Sequence, residues 1–214
     1  MYPPDVDPQS GCRLPLPKRE ELGPDARLVY DSLADPRGAS LRGLRGPGGI
    51  LLHSPELTRC TRPLNHHLRH EAGLGGRVRE LAILVTARAL DSQFEWAAHE
   101  AEAEREGVSR DIIDIVKYRR DTTALDEADR IVIDLGREIF TARKVAPDTF
   151  ARALARFGRR ALVDLVALMG NYAGTAALLT AFDMQLDPGR PPPLPVGERS
   201  GGEPSRGDPS GDEP

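Results

Sequence analysis

Apolar residues recur at helical spacing through the middle of the chain, and no segment keeps the period of two that a half-buried strand requires. The stretch "GPDARLVYDSLADPRG" predicts a helix over Pro24–Ala34, opened by a proline in its first turn and closed before Pro36. "HSPELTRCTRPLNHHLRHEAGL" predicts a second, with Ser54 as its cap, Pro55 at the first helical position and a kink or split at Pro63. After Gly75 and Gly76, "RVRELAILVTARAL" is apolar on nearly every side, the pattern of a helix buried all round. "DSQFEWAAHEAEAEREG" forms the next helix and stops at Gly107; Ser109 caps "RDIIDIVKYRR". "DEADRIVIDLGREIF" is amphipathic, "APDTFARALARFG" runs from Pro147 to Gly158, and "RRALVDLVALMGNYAGTAALLTAFDMQL" closes the periodic region.

Between and around these helices the pattern fails. Five prolines within residues 1–22 predict an extended N-terminal arm, and "RGASLRGLRGPGGILL" reads as a long loop rich in Gly and Arg. Residues 187–214 hold almost no large apolar side chains and cannot offset their chain entropy, which predicts a disordered Pro/Gly-rich tail. The expected organisation is therefore an arm over 1–22, one all-α helical domain over 23–186 and the tail.

Composition narrows the function. With 39% hydrophobic and 29% charged residues the chain has the make-up of a soluble globular domain, and a net charge of −4 gives no electrostatic case for nucleic acid. Of the 29 Lys and Arg, three (Lys18, Lys117 and Lys144) are lysines; arginine near a pocket suits carboxylates through its planar fork. The two cysteines, Cys12 and Cys60, are far apart and form neither a zinc framework nor a disulfide scaffold. No secretory signal is present at the N-terminus and no stretch approaches the length of a bilayer span, so no membrane partner and a cytoplasmic location are expected.

Candidate chemistry centres on residues 91–107. Helical spacing projects Ser92, Glu95, Trp96 and His99 from one face. Histidine is the side chain suited to proton exchange at neutral pH, and Glu95 one turn earlier can tune it or share its proton; spacing alone favours an exposed, paired Glu and His over catalysis. Glu80 carries a carboxylate into the first turn of the buried helix, where the helix dipole by itself also favours an acid. "NHHLRHEAG" offers His66, His67 and His70, but without the glutamate of a metalloprotease motif or a third ligand no metal is expected, and the region reads as a polar surface or pocket wall. Asn171 and Tyr172 interrupt an apolar run and need a partner or a ligand.

The runs "HSPEL", "GGRVRELAILVTARALDSQFEWAAHEAEAEREGVSRDIIDIV" and "LVALMGNYAGTAALLTAF" resemble the carboxymuconolactone decarboxylase family, related to alkyl hydroperoxidase D, over most of residues 54–184. The resemblance implies an all-helical fold, assembly as a homotrimer or a hexamer of such trimers, and a cavity around the paired helices at subunit contacts. Alkyl hydroperoxidase D members carry a glutamate at the position of Glu80, a C-x-x-C pair, and a histidine four residues after the second cysteine. Aligned on Glu80 and His99, those cysteines fall at Ser92 and Glu95, so the thiols are gone and the sequence looks like the decarboxylase side.

The resulting expectation is a cofactor-free lyase acting on a small carboxylated lactone or related enolisable acid. His99 is assigned as general acid or base, Glu95 as its proton partner or substrate contact, and Glu80 as the group that orients it. Trp96, Ser92, His67, Asn171 and Tyr172 are the candidate substrate contacts, with Arg42 and Arg45 to clamp a carboxylate. A thiol peroxidase and a non-catalytic small-molecule-binding oligomer are the alternatives.

Overall fold

The helix predicted to be buried all round is the axis of the molecule. In the computed structural model, which describes residues 2–37 and 40–195, every residue from Glu80 to Ala87 of this helix is buried. The described residues form eight α-helices and no strand: α1 Pro24–Ala34, α2 Pro47–Leu51, α3 Pro55–His66, α4 Gly76–Ala89, α5 Gln93–Arg105, α6 Arg110–Lys117, α7 Glu127–Arg137 and α8 Pro147–Ala181. Helices α5, α6, α7 and α8 all pack on α4. The amphipathic pair follows its sequence pattern, α6 burying Ile112, Ile113 and Val116, and α7 burying Ile131, Val132 and Leu135. Trp96, Leu165, Leu168 and Met169 fill the space between the layers.

The α4–α7 crossing depends on one residue without a side chain. A Cβ at Gly136 would collide with Val85 Cγ1 and sit 3.4 Å from Met169 Cε. Alanine normally favours a helix interior over glycine by about 1 kcal/mol. Here overpacking decides the sign, and Gly136→Ala is expected to destabilise by about 2 kcal/mol in urea unfolding.

Within α8, Gly158 takes a non-helical φ of 72° with ψ 172°, so it ends a first helical half, as its place in the sequence predicts, and a kink joins that half to the second. The expectation that no segment could span a bilayer needs correction: α8 has 35 residues and a window of mean hydropathy 1.5, enough by length and composition. Length and hydropathy do not separate such a span from a core helix. Leu162, Leu165, Leu168, Met169, Tyr172, Ala176 and Leu179 lie buried along one side of it, against the bundle.

Five further differences separate the fold from the sequence pattern. The Gly/Arg loop contains α2, where Gly49 lies too close to the carbonyl of Leu44 for any side chain. Helix α3 does not split at Pro63; it runs on and widens into a π turn over His67–Glu71. Ser54 precedes it without a side-chain cap. The N-terminal arm folds back on its own chain: Arg13 N donates to Phe182 O at 2.9 Å, Gln185 N donates to Gly11 O at 2.8 Å, and Cys12 inserts beside Ile50, Phe94 and Leu179. Residues 187–195, expected to belong to the tail, are packed: Leu194 is 2% exposed and its N–H donates to Gln93 Oε1 at 2.9 Å. Residues 196–214 of the expected tail lie outside the described residues.

Candidate active site

Helices α4 and α5 form an antiparallel hairpin closed by Asp91, which sits at a left-handed φ of 51°. Glu80 near one open end and His99 on the return helix lie at similar distances from this turn, so they meet. The approach is close enough that a Cβ on Gly76 would overlap the Glu106 carboxylate. Glu80 is 0% exposed and His99 5%, and Glu80 Oε2 lies 2.7 Å from His99 Nδ1. Arg79 Nε donates to Glu80 Oε1 at 2.9 Å, while its Nη1 and Nη2 reach Arg69 O at 3.0 Å and Glu106 Oε1 at 2.9 Å.

These contacts fix a protonation state. Burial pushes the Glu80 carboxyl up, but the hydrogen bond and charge of His99, together with Arg79, outweigh it and hold the group below the ordinary carboxylate range. An ionised carboxylate only accepts, so His99 Nδ1 carries the proton in this bond. The ring's Nε2 is thereby the atom left for chemistry, and His99 lines a cavity.

Glu95 is the opposite case. It is 4% exposed, its Oε2 has no hydrogen-bond partner, and burial pushes its pKa up to about 8. It is a neutral acid at pH 7, beside an ionised one. Tyr172 sets its ring edge against His99, with centroids 5.2 Å apart at 85°. Burial also raises the phenol well above its ordinary value, keeping it a neutral donor. Two carboxyls with opposite charge states around one imidazole are the arrangement that separates acid and base roles.

The cavity these residues line has a volume of about 610 Å³. Glu95, His99, Asn171 and Tyr172 form one wall; Arg42, Arg45, Arg62, Arg69, His66 and His70 lie on others. Arg42 and Arg45 lie where expected but are already engaged, both pairing with Asp187, the former at 2.9 Å. They hold the start of the C-terminal segment against the loop. Asp187 lies below its ordinary value through the Arg42 hydrogen bond.

Three expected contacts do not reach the cavity. Trp96 is one residue past Glu95, a rotation of about 100° on a helix. It is fully buried in the core, with Lys117 Nζ 5.9 Å from its ring centroid. Ser92 is outside the helical repeat, with φ −74° and ψ 93°, and its carbonyl accepts from Trp96 N. His67 points away and lies 3.2 Å from Glu71, while His66 and His70 on either side line the cavity.

Sequence reasoning also missed Arg62, Arg69 and Arg79. The first two had a readable signal. Thr61, Arg62, Asn65, His66, Arg69 and His70 recur at steps of four, a polar stripe on one helix face, and all six line the cavity. Arg79 had none, being one arginine among many.

The site is thus a helical hairpin on an all-α bundle that buries a carboxylate–imidazole couple at a cavity wall. Residues 55–133 match the model of the carboxymuconolactone decarboxylase family. No curated protein matches the chain significantly. A crystal structure from Agrobacterium tumefaciens, described as a protein of unknown function and a proposed antioxidant defence protein AhpD, is similar in fold. Its TM-score is 0.57 at 19% identity, covering 64% of this chain and 94% of that one.

Proposed function

We propose that the cavity carries out cofactor-free acid–base chemistry on a small carboxylated lactone or related enolisable acid, releasing carbon dioxide. The observation that carries this reading is the Glu80–His99 couple at 2.7 Å with a neutral Glu95 beside it. As the bond between the substrate carbon and its carboxylate breaks, the electron pair moves into the adjacent conjugated carbonyl to give an enolate, and neutral carbon dioxide departs. Glu95, as an acid, protonates the enolate oxygen. His99 Nε2 delivers a proton to carbon as the carbonyl re-forms and the oxygen's proton returns to Glu95; solvent then reprotonates His99, so one proton is consumed for each carbon dioxide formed. Glu80 stays ionised and stabilises the imidazolium when it forms.

The likeness to an antioxidant AhpD-type protein makes thiol-dependent peroxide reduction the second reading. Neither of the chain's two cysteines favours it: Cys12 is buried where the arm packs on the helices, Cys60 is exposed on α3, and neither lines the cavity. Peroxide reduction through an internal disulfide needs two adjacent thiols. Assembly as a homotrimer or hexamer is part of the same proposal, supported by the exposed Val163 and Val166 on α8, and is read directly by light scattering.

The test is release of carbon dioxide from a panel of carboxylated lactones and β-oxo acids, followed across pH. Because the acid form of Glu95 is required, kcat is expected to fall as pH rises through about 8. Peroxide consumption with added thiol and no carbon dioxide from any acid would replace this reading by the second.

A further inference from the structure

Of the four guanidiniums that line the cavity, three have evident engagements. Arg42 and Arg45 share Asp187, and they lie over the rings of Phe94 and Tyr2 at 5.1 and 5.6 Å. Arg62 is exposed to solvent and reaches Ser32 Oγ at 3.5 Å. Arg69 differs. Its side chain makes no ion pair and no hydrogen bond among the described residues, and its Nε is shut off from solvent with no acceptor. Removing a cation from water without supplying an acceptor is unfavourable, so such a group in a cavity wall is poised for an anion that arrives from outside.

The backbone beneath it is built for this placement. Arg69 lies within the π turn His67–Glu71, a widened turn of the kind that concentrates at functional sites. Its carbonyl accepts from Arg79 Nη1 at 3.0 Å, and the same guanidinium holds Glu80 through Nε. The turn that presents Arg69 is thus tied to the couple that would do the chemistry. The charge of Arg69 is felt there too: burial raises both Glu80 and Tyr172, and Arg69 is among the charges that pull each back. Next to it, His70 is held below the ordinary imidazole range by burial and then by Arg69, which leaves the positive charge of this pair on the arginine.

We infer that Arg69 is the residue that binds the ligand's carboxylate in this cavity, taking over the role expected of the loop residues Arg42 and Arg45. The inference rests on the proposed acid–base reading of the site. A planar guanidinium with free donors matches two carboxylate oxygens side by side. The carboxylate it holds is one that stays with the molecule, because an ion pair to the leaving group would be lost as that group becomes neutral carbon dioxide and would slow the step.

The test uses the full-length protein and two probes of one shape, 5-oxotetrahydrofuran-2-carboxylate and its carboxamide, titrated by calorimetry at fixed ionic strength. The wild type is expected to prefer the carboxylate by about 10- to 100-fold, the range a charge-assisted pair supplies. Arg69→Met abolishes the preference, Arg69→Lys retains part of it, and Arg59→Met, on the same helix but outside the cavity lining, leaves it unchanged. Should Arg69→Met fail to fold, as read by circular dichroism, Arg69→Gln takes its place. No preference in the wild type, no binding of either probe, or a preference that survives loss of the Arg69 charge would overturn the assignment. Binding requires no turnover, so a preference lost with Arg69 beside no carbon dioxide from any acid removes the decarboxylation reading alone.

Discussion

His99→Gln is expected to lower turnover by about 10²- to 10⁴-fold, the usual contribution of a positioned acid–base group, while leaving the fold intact. Glutamine is the informative replacement because its amide N–H can still donate to Glu80 Oε2, as His99 Nδ1 does at 2.7 Å, yet cannot exchange a proton at neutral pH. Glu80→Gln is the companion. Its amide can donate to Nδ1 and drive the imidazole into the other tautomer, placing the proton on Nε2 and inverting the face offered to substrate. A loss of similar size, about 10³-fold, is expected, with the tautomer change visible in the nitrogen NMR shifts of the ring. Glu80→Ala is a poorer experiment: it leaves the largely buried Arg79 without its neighbour and is expected to destabilise by about 3–5 kcal/mol. Unchanged rates of carbon dioxide release in both glutamine variants would remove His99 and Glu80 from the reaction.

Glu95→Gln is expected to stabilise the protein at pH 7 by about 3 kcal/mol while abolishing the acid step. The carboxyl titrates near 4.5 in the unfolded chain and at about 8 when folded, so between those values the folded state binds the extra proton. Wild-type stability therefore falls as pH rises from about 4.5 to about 8, and this group costs nothing below the lower value. Glutamine has the same shape and no such titration. The two proteins should melt together near pH 4 and diverge by about 10 °C at pH 7, given the usual relation between stability and Tm for a chain of this size. A gap that does not change with pH would mean that Glu95 is not held neutral. The trade of stability for a protonated acid is the behaviour expected of a functional group placed against its own preference.

Most of the helical framework was legible because burial writes a period into the chain. The all-apolar "LAILV" segment had to be central, and the stripes of α6 and α7 named the faces that pack on it. Segments without period gave composition only, and there the reading erred. Leu194 is a single apolar residue among prolines, too little to signal that Asp187–Pro195 packs down, yet the Gln93 amide and the Arg42–Asp187 pair hold that segment in place. Within the site, the meeting of Glu80 with His99 followed from family resemblance and helical facing. The departures of Trp96, Ser92 and His67 arose because a four-residue spacing does not say which side of a helix meets the cavity.

By itself the sequence determined that this is an all-α protein built around one buried helix, with an acid–base residue set on a helical hairpin and no thiol pair. Only the tertiary structure decided how that set is charged and what surrounds it. Glu80 is ionised because Arg79 and His99 converge on it, Glu95 is neutral because nothing does, and Arg42 and Arg45 are occupied because Asp187 returns from the far end of the chain. The reason is range: periodicity records which face of a helix is dry, whereas a carboxyl's charge depends on groups within a few ångströms in space, wherever they stand in the sequence.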